Sequence, residues 1–285
     1  MAKNKDIHNF ILLFQSEDRP GIVAKISDFI FRHKGNIISA DQYTTDSEKG
    51  NFFMRVEFNI DKGLYNKDAL CKEFIPISRS FNGRWNIHDK KDFLRMGIFV
   101  SKPGHCLNDL LYLYATGELR AVIPFVASTY EEHRNLVQQY ELPYHFIAAN
   151  KKDRKEQQLL YLANTCDFLV LARYMLVLSK SFLRKFSKDI INIHHGFLPS
   201  FKGANPYQQA LDKGVKVIGS TAHFVTEKLD EGPIISQQVE GVSHNDDLAA
   251  LVQKGKNLEK RALADAVLKY VDYRVIRDNN KTIVF

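Results

Sequence analysis

The sequence predicts an α/β protein in two domains. A ferredoxin-like βαββαβ module spans residues 1–88, a polar joint 89–95, and a Rossmann-like, mostly parallel sheet 96–285. Three observations predict this. Phe52 to Ile60 alternates, with Phe52, Met54, Val56 and Phe58 set against Phe53, Arg55 and Glu57, the period-two mark of a half-buried strand. Ile22, Val23, Ile26, Phe29 and Ile30 recur at helical spacing. From Met96 onward, short continuous apolar runs alternate with helical segments, as in a parallel sheet covered on both faces.

The elements follow in order. Ile11 to Phe14 reads as the first strand. Asp18-Arg19-Pro20-Gly21 punctuates the chain, with Asp18 as a helix cap and Pro20 in the first turn, where a missing N–H costs nothing. Gly35 stops that helix. Asn36 to Thr44 is a strand, Asn66 to Phe81 a helix and Arg84 to His88 a short strand. In the second domain the strands are Met96 to Val100, Arg120 to Val126, His145 to Ala148, Phe168 to Ala172, Ile190 to His194 and Val217 to Val225. Helices fall at Cys106 to Tyr114, Glu131 to Tyr140, Lys155 to Ala163, Lys180 to Phe186 and from Asp246. A last strand, Thr282 to Phe285, is expected to complete the second domain.

Composition narrows the function classes. The chain has 285 residues, 45% of them apolar and 26% charged, which excludes disordered and disulfide-scaffold classes. Forty basic residues against 33 acidic ones give +7, without the concentrated stripe of a nucleic-acid binder. The densest cluster, Lys151-Lys152-Asp153-Arg154-Lys155, reads as a solvated face. A diffuse positive field favours a small anionic substrate. Cys71, Cys106 and Cys166 share no metal-ligand spacing, and their odd number argues against a secreted disulfide framework. No apolar leader follows Met1, and the segment Phe168 to Leu178 is too short for a bilayer and broken by Arg173. A cytoplasmic protein, with neither membrane nor nucleic acid as partner, is expected.

The chemistry concentrates late in the chain. Asn192 and His194 alternate on one strand and so share a face. In open α/β sheets ligands bind beyond the carboxyl ends of the strands, where His194 lies. The next strand carries His223, and the loop after it holds Asp230-Glu231-Gly232-Pro233. A carboxamide and an imidazole can stabilise a developing oxyanion while a carboxylate handles protons.

Two resemblances sharpen this. The strand–Asp18-Arg19-Pro20-Gly21-Ile22–helix opening within βαββαβ resembles the ACT domain, over residues 7 to about 88. The resemblance implies side-by-side pairing through sheet edges, hence a homo-oligomer (dimer or tetramer), and an amino-acid effector at the loop formed by Asp18, Arg19, Pro20 and Gly21. A dimerisation module without ligand is the other reading. Asn192-Ile193-His194, Leu198-Pro199-Ser200-Phe201-Lys202-Gly203, His223-Phe224-Val225 and Asp230-Glu231-Gly232-Pro233-Ile234-Ile235 resemble the folate-dependent formyltransferase family, over residues 96 to about 240. The resemblance implies catalytic roles for Asn192, His194 and Asp230. It implies a folate pocket over Leu171 to Leu178 and Val225 to Leu229, with Leu171, Arg173, Tyr174, Met175, Val177, Leu178, His223, Val225 and Glu227 as substrate-binding residues. Lys202 is read as solvated, with the folate's glutamate tail as the other reading.

The family contains several formyl acceptors. Its glycinamide ribonucleotide members hold the acceptor phosphate on a Gly-rich loop after the first strand. Here that loop reads Ser101-Lys102-Pro103-Gly104-His105-Cys106-Leu107. Lys102 replaces a glycine and Pro103 removes a backbone N–H, whereas a phosphate nest needs free N–H groups and room for close approach. The N-terminal ACT-like fusion is similar to the branch that uses water. The implied reaction is hydrolysis of 10-formyltetrahydrofolate to tetrahydrofolate and formate, a source of formate for one-carbon and purine metabolism. It requires no cofactor beyond the folate substrate and no metal. The alternative is transfer to an unidentified amine.

Overall fold

A computed structural model describes residues 7–46, 50–61, 63–148, 152–199 and 206–285. The chain divides into two compact units. One holds Met1–Phe93 with Tyr273–Asp278 and Ile283–Phe285; the other holds Leu94–Asp272 with Asn279–Thr282.

The first unit is βαββαβ: β1 (Ile7–Glu17), α1 (Ile22–Arg32), β2 (Asn36–Thr44), β3 (Asn51–Asp61), α2 (Lys67–Ser80) and β4 (Arg84–Asp89). Its sheet runs β2-β3-β1-β4, antiparallel throughout. The period-two pattern sends Phe52, Met54, Val56, Phe58 and Ile60 of β3 and Phe10, Leu12 and Phe14 of β1 to one face. There they pack against Ile22, Ile26, Phe29 and Ile30 of α1 and Leu70 and Phe74 of α2. Asn66 caps α2, its side chain accepting from the Ala69 N–H at 2.9 Å. The α1 cap departs from expectation. Gly21, at φ +92°, holds the cap position without a side-chain bond, so Asp18 does not cap and Pro20 precedes the helix in a turn.

The other face of this sheet is also covered. Arg55 of β3 is buried, donating from Nε to the Tyr273 carbonyl at 3.2 Å and pairing with Glu57 at 3.5 Å. His88 stacks on Tyr273 at 3.7 Å between ring centroids. The chain end forms a hairpin of two strands, Val275–Asp278 and Lys281–Val284. The expectation that this end completes the second domain is therefore corrected: Tyr273–Asp278 and Ile283–Phe285 belong with the first unit. The physical reason is that β3 offers Arg55 on its second face, and a buried guanidinium needs acceptors.

The second unit contains β5 (Leu94–Val100), α3 (His105–Ala115), β6 (Ala121–Val122), β7 (Val126–Ser128), α4 (Arg134–Gln139), β8 (Tyr144–Phe146) and α5 (Lys152–Ala163). It continues with β9 (Phe168–Ala172), α6 (Lys180–Phe186), β10 (Ile190–His194), α7 (Pro206–Asp212), β11 (Val217–Phe224), β12 (Ile234–Gly241) and α8 (Leu248–Val271). The sheet order is β12-β11-β10-β9-β5-β7-β8. Strands β10, β9, β5, β7 and β8 are parallel, and β11 and β12 join antiparallel. The single strand expected over Arg120 to Val126 is two short strands on either side of Pro124, which lacks the N–H a ladder needs. Strand β12 carries Ser236, Gln237, Gln238 and Glu240, a polar content that hid it from the apolar pattern. Lys155, expected on a solvated face, is half-buried with its ammonium 5.7 Å from the Tyr174 ring centroid. Lys151 and the side chains of residues 152–154 lie outside the described residues. No helix among the described residues is long and apolar enough to cross a membrane.

Candidate active site

Strand β10 ends at His194, beside the carboxyl end of β9. Asn192 lies opposite His223 in the β10–β11 ladder, so strand pairing alone brings a carboxamide and a second imidazole together. After β11 the chain doubles back, closed by a bond from the Phe224 N–H to the Pro233 carbonyl at 2.9 Å. This turn requires Gly232, because a Cβ there would overlap the Phe224 carbonyl oxygen. It also holds Asp230 at φ +54°, a left-handed conformation that a non-glycine residue takes at a cost.

The result is one compact cluster. His194 Nδ1 is 3.3 Å from Asp230 Oδ2, and His223 Nε2 is 3.6 Å from Asp230 Oδ1. Asn192 Nδ2 lies 3.2 Å from His223 Nε2, and His223 Nδ1 lies 2.9 Å from the Phe224 carbonyl oxygen. Hydrogen bonds from His194 and then His223 hold the Asp230 carboxyl far below the usual carboxylate range, against the opposing effect of burial. Nε2 of His194 is buried and has no hydrogen-bond partner among the described residues, so it is available to a ligand. A hollow of about 580 Å³ opens onto Asp230, lined also by Leu198, Pro199, Gly232, Ile234 and Lys281. Another, of about 620 Å³ between β8 and α5, holds none of these groups.

Two supports escaped sequence reasoning. Thr221 Oγ1 accepts from the Leu198 N–H and donates to the Gly196 carbonyl, both at 3.0 Å. Gln237 Nε2 donates to the Leu198 carbonyl at 2.9 Å. Together they pin the loop leaving His194.

The substrate residues inferred from resemblance separate into groups. Met175 and Val177, just beyond β9, are 55% and 70% exposed, and Leu229, next to Asp230 in the chain, is 67% exposed. Leu171, Tyr174 and Leu178 are buried in the core with Phe99 and Phe182, and Val225 packs against the same cluster. His223 belongs to the Asp230 cluster itself. Glu227 is engaged elsewhere, bonded by Arg184 at 2.7 and 3.2 Å and paired with Lys180 at 3.8 Å. The motif residues Ser200 to Asn205, with Lys202, lie outside the described residues. In the first unit, Asp18, Arg19, Pro20 and Gly21 form an exposed turn, and Arg19 pairs with Glu17 at 2.7 Å.

Arg173 falls in a second cluster that the sequence did not announce. Glu259 of α8 is 2% exposed. Its Oε2 is 2.5 Å from His105 Nε2 and 3.2 Å from Arg173 Nε, and its Oε1 accepts from the Tyr207 hydroxyl at 2.9 Å. Burial pulls the Glu259 carboxyl up, but the His105 bond and the Arg173 charge outweigh it and leave the group below its usual value. His105, Cys106 and Glu259 are the one group of metal-ligand atoms within mutual reach among the described residues. Burial, then the Glu259 charge, pushes the Cys106 thiol well up, so it stays protonated. The guanidinium on the same carboxylate opposes a further cation.

His195 joins the two clusters, stacked on His194 at 4.9 Å and 6.4 Å from the Tyr207 ring. Burial, then the Arg173 charge, pulls His195 down to about 4; burial does the same to His88, also to about 4. Both rings bind a proton more readily in the unfolded chain, near 6.5. Their contribution to stability is therefore complete above about 6.5 and is lost as pH falls toward about 4, by at most roughly 1.4 kcal/mol per pH unit for each ring. Melting temperature measured across that window should fall, less steeply in His88→Phe; a flat profile in the parent protein would contradict both assignments.

Residues 94–267 match the model of the formyl transferase family, and residues 10–65 match that of the ACT domain. The chain is 45% identical to a formyltetrahydrofolate deformylase of Bacillus subtilis, over 96% of this chain and 93% of that one. The chain belongs to the formyltetrahydrofolate deformylases of the formyl transferase family. The solved structure of a formyltetrahydrofolate deformylase from Pseudomonas syringae matches with a TM-score of 0.94 at 38% identity, over 100% of this chain and 96% of that one. A glycinamide ribonucleotide transformylase from Symbiobacterium toebii matches at TM-score 0.65 and 26% identity, covering 70% of this chain. The deformylases thus share both units with this chain. All three motif residues, Asn192, His194 and Asp230, lie inside the matched formyl transferase region.

Proposed function

We propose that the chain hydrolyses 10-formyltetrahydrofolate to tetrahydrofolate and formate. The observation that carries this reading is the carboxylate of Asp230 set against His194 and His223. The pteridine rests against the exposed side chains of Met175, Val177 and Leu229. Asp230, ionised because the imidazoles favour its charged form, accepts a hydrogen bond from the attacking water and orients it. As water attacks, the formyl oxygen becomes an oxyanion. Asn192 Nδ2 donates to it, and so does His194 through Nε2, which has no other partner among the described residues. One such donor is worth about 3–4 kcal/mol in the transition state. The water proton passes by way of Asp230 to the leaving amine, and the C–N bond breaks. No step calls on a metal.

In this reading the first unit pairs with a second copy through the exposed β2 edge, which carries Ile37, Ile38 and Tyr43 on its surface. The Asp18–Gly21 turn receives an amino-acid effector, and the protein works in the cytoplasm. Purified protein given 10-formyltetrahydrofolate alone should release tetrahydrofolate and formate in equal amounts. Glycinamide ribonucleotide should not accelerate folate consumption, and the same assay repeated with each common amino acid reads the effector. Formylated ribonucleotide among the products would replace hydrolysis by transfer.

A further inference from the structure

The cluster around Glu259 is costly and has no part in the steps above. Two charged side chains and a tyrosine hydroxyl are taken out of water there, and such pairs are often no more stable than apolar packing of the same volume. The chain also accepts strain to build it. Arg173, the first residue beyond β9, sits at φ +61°, where glycine would be at ease, yet it carries a guanidinium to Glu259 at 3.2 Å. Tyr207 lies so tightly on α8 that a Cβ at Gly255 would overlap its ring.

The position of the cluster is equally informative. His105 begins α3 just after the loop leaving β5, and Arg173 follows β9. Ser101 fastens these two strand ends, its Oγ accepting from the Met175 N–H at 2.9 Å and its N–H donating to the Arg173 carbonyl at 3.3 Å. Glu259 closes the space from α8, Tyr207 closes it from α7, and His195 forms the wall toward His194. Both carboxylate oxygens of Glu259 are taken up by protein partners, while Arg173 Nε meets the carboxylate as an ion pair and makes no hydrogen bond among the described residues.

We infer that Arg173, Glu259, His105 and Tyr207 form a plug that determines the acceptor. They fill the approach to the formyl carbon behind His195 and so confine the nucleophile to water. An amine entering there would form a new bond from its nitrogen to the formyl carbon. The bond from carbon to the folate nitrogen would break, and the proton lost by the attacking amine would pass to the leaving one. The proposal rests on the hydrolytic reading.

The test is a partition ratio. Parent protein, Arg173→Gly, Tyr207→Ala and His105→Ala are each given 10-formyltetrahydrofolate with glycinamide as probe amine, and N-formylglycinamide and formate are both measured. The parent should give formate with no more than a trace of formylated amine. Arg173→Gly, which also relieves the backbone strain, should raise the ratio of formylated amine to formate at least tenfold, and Tyr207→Ala should do likewise. His105 lies at the rim, so His105→Ala tests the plug even if the other two fail to fold. A merely structural role would lower the total rate and leave the ratio unchanged, and an unchanged ratio in every variant that folds overturns the proposal. Failure of the parent to release formate would instead overturn the hydrolytic reading, whatever the ratio.

Discussion

Asp230→Asn should lower kcat by at least about a hundredfold while the protein still folds, because the carboxylate meets the reacting water and is not part of the core. The amide keeps the shape and removes the charge that both imidazoles face at 3.3 and 3.6 Å. His194→Ala should produce a loss of similar size by removing the donor whose Nε2 has no partner among the described residues. The two effects should not add in the double variant, since His194 and Asp230 act as one unit. Steady-state kinetics on the purified variants checks this. A near-normal kcat in either single variant would remove that residue from the mechanism.

The second large effect is on stability. Glu259→Ala should destabilise the second unit by about 3–5 kcal/mol, because it leaves the Arg173 guanidinium buried without its counter-charge. Removing Arg173 as well should recover part of the loss, the sign of a coupled pair. Denaturant titration of the single and double variants measures both terms. A loss below about 1 kcal/mol for Glu259→Ala would show that the pair is solvated in practice.

The proposed catalytic set is legible in the sequence because each member sits in a local pattern. Asn192 and His194 share a face by strand alternation, and Asp230 opens a Gly/Pro turn. The resemblance supplied their roles; strand pairing then supplied the distances. The plug was not legible, because Glu259 stands among Lys256, Lys260 and Arg261 and looks like a solvated helix charge. A signal did exist: Glu259 is in phase with Leu251, Gly255, Ala262 and Ala266, the buried stripe of α8. Arg173 interrupts an apolar run in the sequence, but its partner lies 86 positions later and no local pattern connects them. The C-terminal hairpin shows the same limit. Its second strand, Thr282 to Phe285, is legible as strand and its first, Val275–Asp278, is not, and which unit they join depends on Arg55 of β3, far away in the chain. Strand β12 was missed for a different reason, since an edge strand facing water carries no apolar signature.

In the proposed reaction, water held by Asp230 attacks the formyl carbon. The most direct measurement is the reaction of the full chain with 10-formyltetrahydrofolate, without any amine, in water enriched in heavy oxygen. The account predicts formate carrying one heavy oxygen per molecule, equimolar tetrahydrofolate, and almost no product from Asp230→Asn over the same time. Absence of formate, or formate free of the label, would contradict it.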